Sequence, residues 1–135
     1  MRKLFICTTV LVCILVLTPV LASSKVSGPG RLHRDRLKVA RALLEVQYAN
    51  WQSVIPYYTD DVEYHDPIVD IYGIDMMAQF LARLLGSSPD LITTIEDETL
   101  VGDLYSATWT MAGQFAGLPY NAKGITIMKF HTQSM

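Results

Sequence analysis

Few side chains in this 135-residue chain have the type and spacing to do chemistry. Asp66 stands out. It follows Val62 and Tyr64 at strand spacing and is followed by Pro67, so it closes a short alternation whose inner face is apolar. Proton abstraction is easier for an aspartate held among apolar groups, because burial disfavours a bare negative charge. Asp66 reads also as a turn residue, since Asp before Pro commonly accepts bonds from backbone N–H groups just ahead of it. Val62 and Tyr64 beside it, Tyr48 on an early helix, and Trp109, Met111, Met128 and Phe130 on late strands are apolar or aromatic residues whose spacing turns them inward. Core packing accounts for Tyr48, Trp51 and Trp109, while the polar tips of Tyr48 and Trp109 would also suit a ligand.

Other chemistries lack their residues. His33, His65 and His131 do not form a ligand spacing, and no His-x-x-x-His pair, Gly-rich phosphate loop or Gly-x-Ser-x-Gly elbow is present. Cys7 and Cys13 both lie near the start, so neither a disulfide framework nor a cysteine zinc site can hold the body together. Neither a metal nor a cofactor is implied. His65 has the opposite parity to Asp66 and should face outward, and Asp60 and Asp61 read as turn residues.

The elements that must position Asp66 begin after an apolar leader. Residues 4–22 are mostly apolar, preceded by Arg2 and Lys3 and followed by small residues, with Val20 and Ala22 where a signal peptidase reads. Residues 1–22 are thus expected to be a signal peptide or a membrane anchor. Lys25, Arg31, Arg34, Arg36 and Lys38 follow the leader, an asymmetry that counts against simple export or points towards an anchored form. Cleavage after Ala22 would leave nine Lys and Arg against thirteen Asp and Glu. That mildly acidic balance argues against nucleic acid as a partner.

Residues 23–32 read as a flexible linker around Ser27-Gly-Pro-Gly30, and residues 33–135 as one domain. Within it, residues 31–51 show helical periodicity, with Leu37, Ala40, Leu44, Tyr48 and Trp51 as the buried stripe. Residues 53–58 suit a short second helix. Residues 62–66 and 68–72 suit short strands, and residues 74–85 a third helix opened by Gly73. From residue 91 the period changes to two, predicting strands over 91–100, 104–114 and 120–130, with turns at Gly102-Asp103 and Gly117-Leu118-Pro119. Helices first and a long meander afterwards predict an α+β domain.

The run from Tyr58 through Thr-Asp-Asp-Val-Glu-Tyr-His-Asp-Pro to Gly73, together with Trp109-Thr-Met-Ala-Gly-Gln-Phe-Ala-Gly117 and Lys123-Gly-Ile-Thr-Ile-Met-Lys-Phe130, resembles the nuclear transport factor 2-like superfamily. Within it the chain is similar to the SnoaL-like polyketide cyclase and ketosteroid isomerase group over about residues 35–130. The resemblance implies a cone, a curved antiparallel sheet wrapped around three helices with an apolar cavity at its open end, walled by Tyr48, Val62, Tyr64, Trp109, Met111, Met128 and Phe130. It also implies Asp66 as the general base for isomerisation, cyclisation or hydration of an apolar small molecule. In the isomerases this base works with a tyrosine and a second, neutral acid. Ala42 and Thr126 stand at the matching places, so steroid isomerisation is not expected. The alternatives carried forward are a non-catalytic binding domain and a module that dimerises through the sheet's outer face, where parity puts Tyr105, Ser106, Thr108 and Thr110. Family members usually continue into one more strand, so a truncated C-terminus is expected here, leaving the strand at residues 120–130 with an unpaired edge.

Overall fold

The computed structural model describes residues 10–17 and 29–131. Its elements are β1 (Val10–Leu17), α1 (Pro29–Leu44), α2 (Trp51–Val54) with a 3-10 turn Ile55–Tyr57, β2 (Glu63–His65), β3 (Asp70–Tyr72), α3 (Ile74–Ser87), β4 (Ile92–Val101), β5 (Leu104–Phe115) and β6 (Leu118–Phe130). They make one six-stranded sheet in the order β3-β2-β1-β6-β5-β4. The fold is α+β, with α1 and α3 against one face of the sheet.

Each of the two long hairpins turns on two residues. Ala116 and Gly117 both take positive φ, 51° and 77°, which matches the twist of flanking strands, and they join Phe115 to Leu118. The other hairpin turns at Gly102-Asp103 as expected. The β4/β5 register slips between Ile95 and Asp97, an irregularity of the kind that bends a strand. At the base of the sheet Arg41 on α1 makes a charge-assisted pair with Glu98 on β4, and the Tyr105 hydroxyl donates to the same carboxylate at 3.0 Å. Arg41 holds the Glu98 carboxyl below its usual range, while burial and then the Glu98 bond push the Tyr105 phenol up.

The helix α1 starts at Pro29, inside the stretch expected to be linker, because proline suits the first helical position, where no N–H is needed. It ends at Leu44 rather than at Trp51. Asn50 closes a turn there, its side chain accepting from Gln47 N at 2.9 Å. Tyr48 therefore leaves the buried stripe; it is 51% exposed and lies beside Gly86 of α3. A further correction concerns the sheet's outer face. Tyr105 is fully buried and points inward with Ala107 and Trp109, whereas Ser106, Thr108 and Thr110 take the other parity.

Val10–Leu17 falls in the apolar stretch expected to serve for export or anchoring. In the structure it runs between β2 and β6, antiparallel to the first and parallel to the second. The sheet is thus mixed rather than antiparallel throughout, and the edge of β6 expected to be bare carries β1. Residues 1–9 and 18–28, which hold the rest of the leader and most of the expected linker, lie outside the described residues. No helix among the described residues is long and apolar enough to cross a membrane.

Candidate functional site

A cavity of about 470 Å³ lies between the sheet and the helices, within the size range of small-molecule sites. Leu43 and Leu44 from α1, Met77, Phe80, Leu81 and Leu84 from α3, and Met111 and Met128 from the sheet give it apolar walls. Ile68, Phe115 and Tyr120 line it and are also solvent-exposed, which puts its mouth between the β2–β3 turn and the tip of the β5–β6 hairpin. Among the described residues, Asp66 is the one charged group in its lining.

Local sequence sets the orientation of Asp66. Tyr64 and Asp66 share the inner parity, and Pro67 ends the strand, so the chain turns back at once; Asp66 N donates to Val69 O at 3.0 Å. Its carboxylate Oδ1 accepts from Ile68 N and Val69 N, both at 2.7 Å, the Asx geometry expected of Asp before Pro. Oδ2 accepts from the Tyr64 hydroxyl at 3.0 Å. A carboxylate oxygen offers two lone pairs, so Oδ2 keeps one for the cavity. The Tyr64 ring is held in turn against Phe80, with centroids 5.3 Å apart.

A second polar feature lies on β5 and β6. Trp109 Nε1–H donates to Thr126 Oγ1 at 2.8 Å, both side chains being buried in the cavity wall. Continuing the β2/β1 and β1/β6 registers brings Asp66 level with Thr126 two strands away, roughly 10 Å between backbones at normal strand spacing. A molecule lying across β1 can reach both.

The structure brings Tyr64, Asp66, Trp109, Met111 and Met128 together around this cavity. Three expected wall residues are elsewhere. Val62 and Phe130 are buried in the core below the cavity, where Arg36 lies over the Phe130 ring at 5.8 Å, and Tyr48 has left the helix face that would have carried it inward. Sequence reasoning did not single out Tyr58, whose side chain also lines the cavity. His65 lies on the opposite face from Tyr64, with Nδ1 2.7 Å from Asp70 and Nε2 3.7 Å from Glu63. The bond to Asp70 raises its pKa above the usual histidine range. Among the described residues no cluster of His, Cys, Asp or Glu has the arrangement to hold a metal.

Comparison with known proteins follows the same outline. Residues 39–133 match the sequence model of the SnoaL-like domain. No curated protein matches the chain. Among solved structures, an NTF2-like protein of unknown function from Exiguobacterium sp. 255-15 superposes with a TM-score of 0.55 at 14% identity, over 73% of this chain and 99% of its own. An LEH-like epoxide hydrolase from M. tuberculosis gives 0.58 at 17%, over 72% and 82%. A protein with a ketosteroid isomerase-like fold from Catenulispora acidiphila DSM 44928, in complex with trimethylamine, gives 0.51 at 13%, over 74% and 87%. At these identities the likeness concerns the fold.

Proposed function

The chain belongs to the SnoaL-like domain family, and from that premise we propose that it holds an apolar small molecule in its cavity with Asp66 as general base. The observation that carries this reading is a carboxylate with a spare lone pair on Oδ2, set in an otherwise uncharged and largely apolar cavity. In such a place Asp66 takes a proton from a carbon next to a carbonyl, or from a water, and the electron pair left behind moves to the carbonyl oxygen or attacks a neighbouring carbon. Return of the proton to another carbon completes an isomerisation; ring closure with return of the proton to the new alkoxide completes a cyclisation; and attack by the deprotonated water with return of the proton to the anion it forms completes a hydration. The LEH-like epoxide hydrolase among the structural neighbours is consistent with water as one such acid.

A second reading has its own observation. Three of the four lone-pair directions of Asp66 are already used within the protein, so Asp66 also serves as the group that closes the β2–β3 turn, and the cavity then captures a ligand without transforming it. The two readings differ in proton transfer. The full chain is incubated with the bicyclic ketone 2-tetralone in D2O and loss of its α-protons is followed by NMR. General-base catalysis accelerates exchange over buffer, and Asp66→Asn lowers the protein-dependent rate by about 10²- to 10⁴-fold. Exchange no faster than buffer, or unaffected in Asp66→Asn, rejects the catalytic reading. Binding without exchange supports the second.

The apolar leader supports export or membrane tethering. A segment paired between β2 and β6 is not free to enter a translocation channel, so on this reading the folded form with β1 in place and the exported form are alternatives. The outer face that carries Ser106, Thr108 and Thr110 remains the surface proposed for pairing with a second copy.

A further inference from the structure

The sheet is held together in its middle by the strand that comes first in the chain. β2 pairs with β3 and β1, and β6 pairs with β5 and β1, so β1 is what joins the β2–β3 hairpin to the β4–β6 meander. All of Val10–Leu17 pairs with Lys123–Phe130 of β6, and Ile14, Leu15 and Val16 pair also with β2. Without a strand in that slot, β6 would present a long row of unpaired backbone groups, the kind of edge that another chain completes.

Nothing in β1 ties it to its own copy of the slot. Ladder bonds run from backbone to backbone, and the sequence Val-Leu-Val-Cys-Ile-Leu-Val-Leu is apolar at every position, so the slot selects an extended apolar strand and not a particular molecule. Chain order works in the same direction. Val10 pairs with Lys123 and Ile14 with His65, so both neighbours lie far along the chain, and closing such loops is slow. The β2–β3 and β4–β6 segments pair locally through short turns and form faster. The two sides of the slot are therefore built before their strand is committed. Residues 18–28 connect β1 to α1, and a tether of that length spans up to about 40 Å when extended, enough to reach a neighbouring copy.

We infer that the slot between β2 and β6 is a strand-acceptor site that takes residues 10–17 from a second copy of this chain as well as from its own, giving a strand-exchanged dimer. The donated strand runs between Asp66 and Thr126 of the receiving copy, so each cavity is completed by the other chain. This dimer differs from face-to-face pairing through Ser106, Thr108 and Thr110, which leaves every strand in its own sheet.

Cys13 is the register partner of Thr126, and Thr126 is buried, so a disulfide between these positions reports a strand in the slot and cannot form through the outer face of the sheet. Two full-length chains are refolded together under oxidising conditions, one carrying Cys7→Ser and the other Cys7→Ser, Cys13→Ser and Thr126→Cys. A short tether gives the strand an effective concentration on the order of 1 mM at its own slot, so the exchanged fraction expected is about a tenth at about 0.1 mM protein and about tenfold less at about 0.01 mM. The interchain disulfide, read on a non-reducing gel, should follow that fraction. A single chain with Cys7→Ser and Thr126→Cys should close the same bond within itself at the lower concentration. Leu15→Cys with Met128→Cys, a second register pair, repeats the measurement in a Cys7→Ser, Cys13→Ser background if Thr126→Cys does not fold. An intrachain bond with no interchain bond at either concentration overturns the inference, because the slot then takes its own strand alone. Absence of both bonds for both pairs overturns it too, because residues 10–17 then do not fill the slot.

Discussion

Replacing Asp66 by asparagine and by alanine separates what the side chain does for the turn from what it does for a ligand. In the native chain Oδ1 takes the N–H groups of Ile68 and Val69, and Oδ2 takes the Tyr64 hydroxyl. Asparagine keeps an oxygen for the two backbone donors and can turn its amide towards Tyr64, whose hydroxyl oxygen then accepts. It gives up only the charge assistance, about 1 kcal/mol. Alanine gives up all three acceptors. Ile68 is 84% exposed, so its N–H can find water, but Val69 is half-buried and its N–H is left short, and the bond from the Tyr64 hydroxyl to Oδ2 is lost. At roughly 1 to 1.5 kcal/mol for each of these two losses, Asp66→Ala loses about 2–3 kcal/mol. For a chain of this length that is a fall in Tm of about 6–12 °C, against about 5 °C or less for Asp66→Asn. Circular dichroism melts measure both, alongside the tetralone exchange rates. A base that also closes the turn gives an asparagine variant that is nearly as stable as the native chain and inactive. The reasoning fails if asparagine costs as much stability as alanine, because the hydrogen bonds would then not be what the carboxylate contributes.

Two further perturbations test the frame around the site. A Cβ added at Gly113 would lie 2.9 Å from Leu91 Cα and 3.2 Å from its N, backbone atoms that cannot step aside, so Gly113→Ala should lower the urea midpoint by about 1–3 kcal/mol of stability; an unchanged midpoint would show that the chain entering β4 does not press on β5 as described. The hydrogen bond to Asp70, and beyond it the charges of Asp70 and Glu63, raise the His65 pKa. Its contribution is therefore complete below the unfolded value of about 6.5 and is lost as pH rises through the raised folded one. Amide exchange in the β2–β3 hairpin, corrected for intrinsic rate, should show more protection at low than at high pH, and His65→Gln should remove that difference while leaving β4–β6 untouched.

The helices and the β4–β6 meander were legible because each has a long periodic pattern. In α3, Met77, Leu81 and Leu85 return every four residues to the buried face, and from Ile92 onward nearly every second residue faces in. The strand β1 was not legible. Val-Leu-Val-Cys-Ile-Leu-Val-Leu is an unbroken apolar run, and such a run suits a signal-peptide core, a membrane helix and a strand covered on both sides alike. Periodicity carries no information where every position is apolar.

Within the site the limit was depth rather than face. Parity assigns Val62, Tyr64 and Asp66 to one side of the sheet, and it does the same for Thr126, Met128 and Phe130, yet only part of each set reaches the cavity. The rest fill the core beside it, where Phe130 sits under Arg36 and its N–H donates to Asp103 O. A period of two says which way a side chain points and nothing of how far along the sheet it lies, which depends on how the strands pair. Tyr58 was hidden for a related reason. It follows the 3-10 turn Ile55–Tyr57, where no regular period runs, and its inward direction comes from the extended backbone it adopts as that turn ends. A residue placed by a turn rather than by a helix or strand leaves no pattern to read.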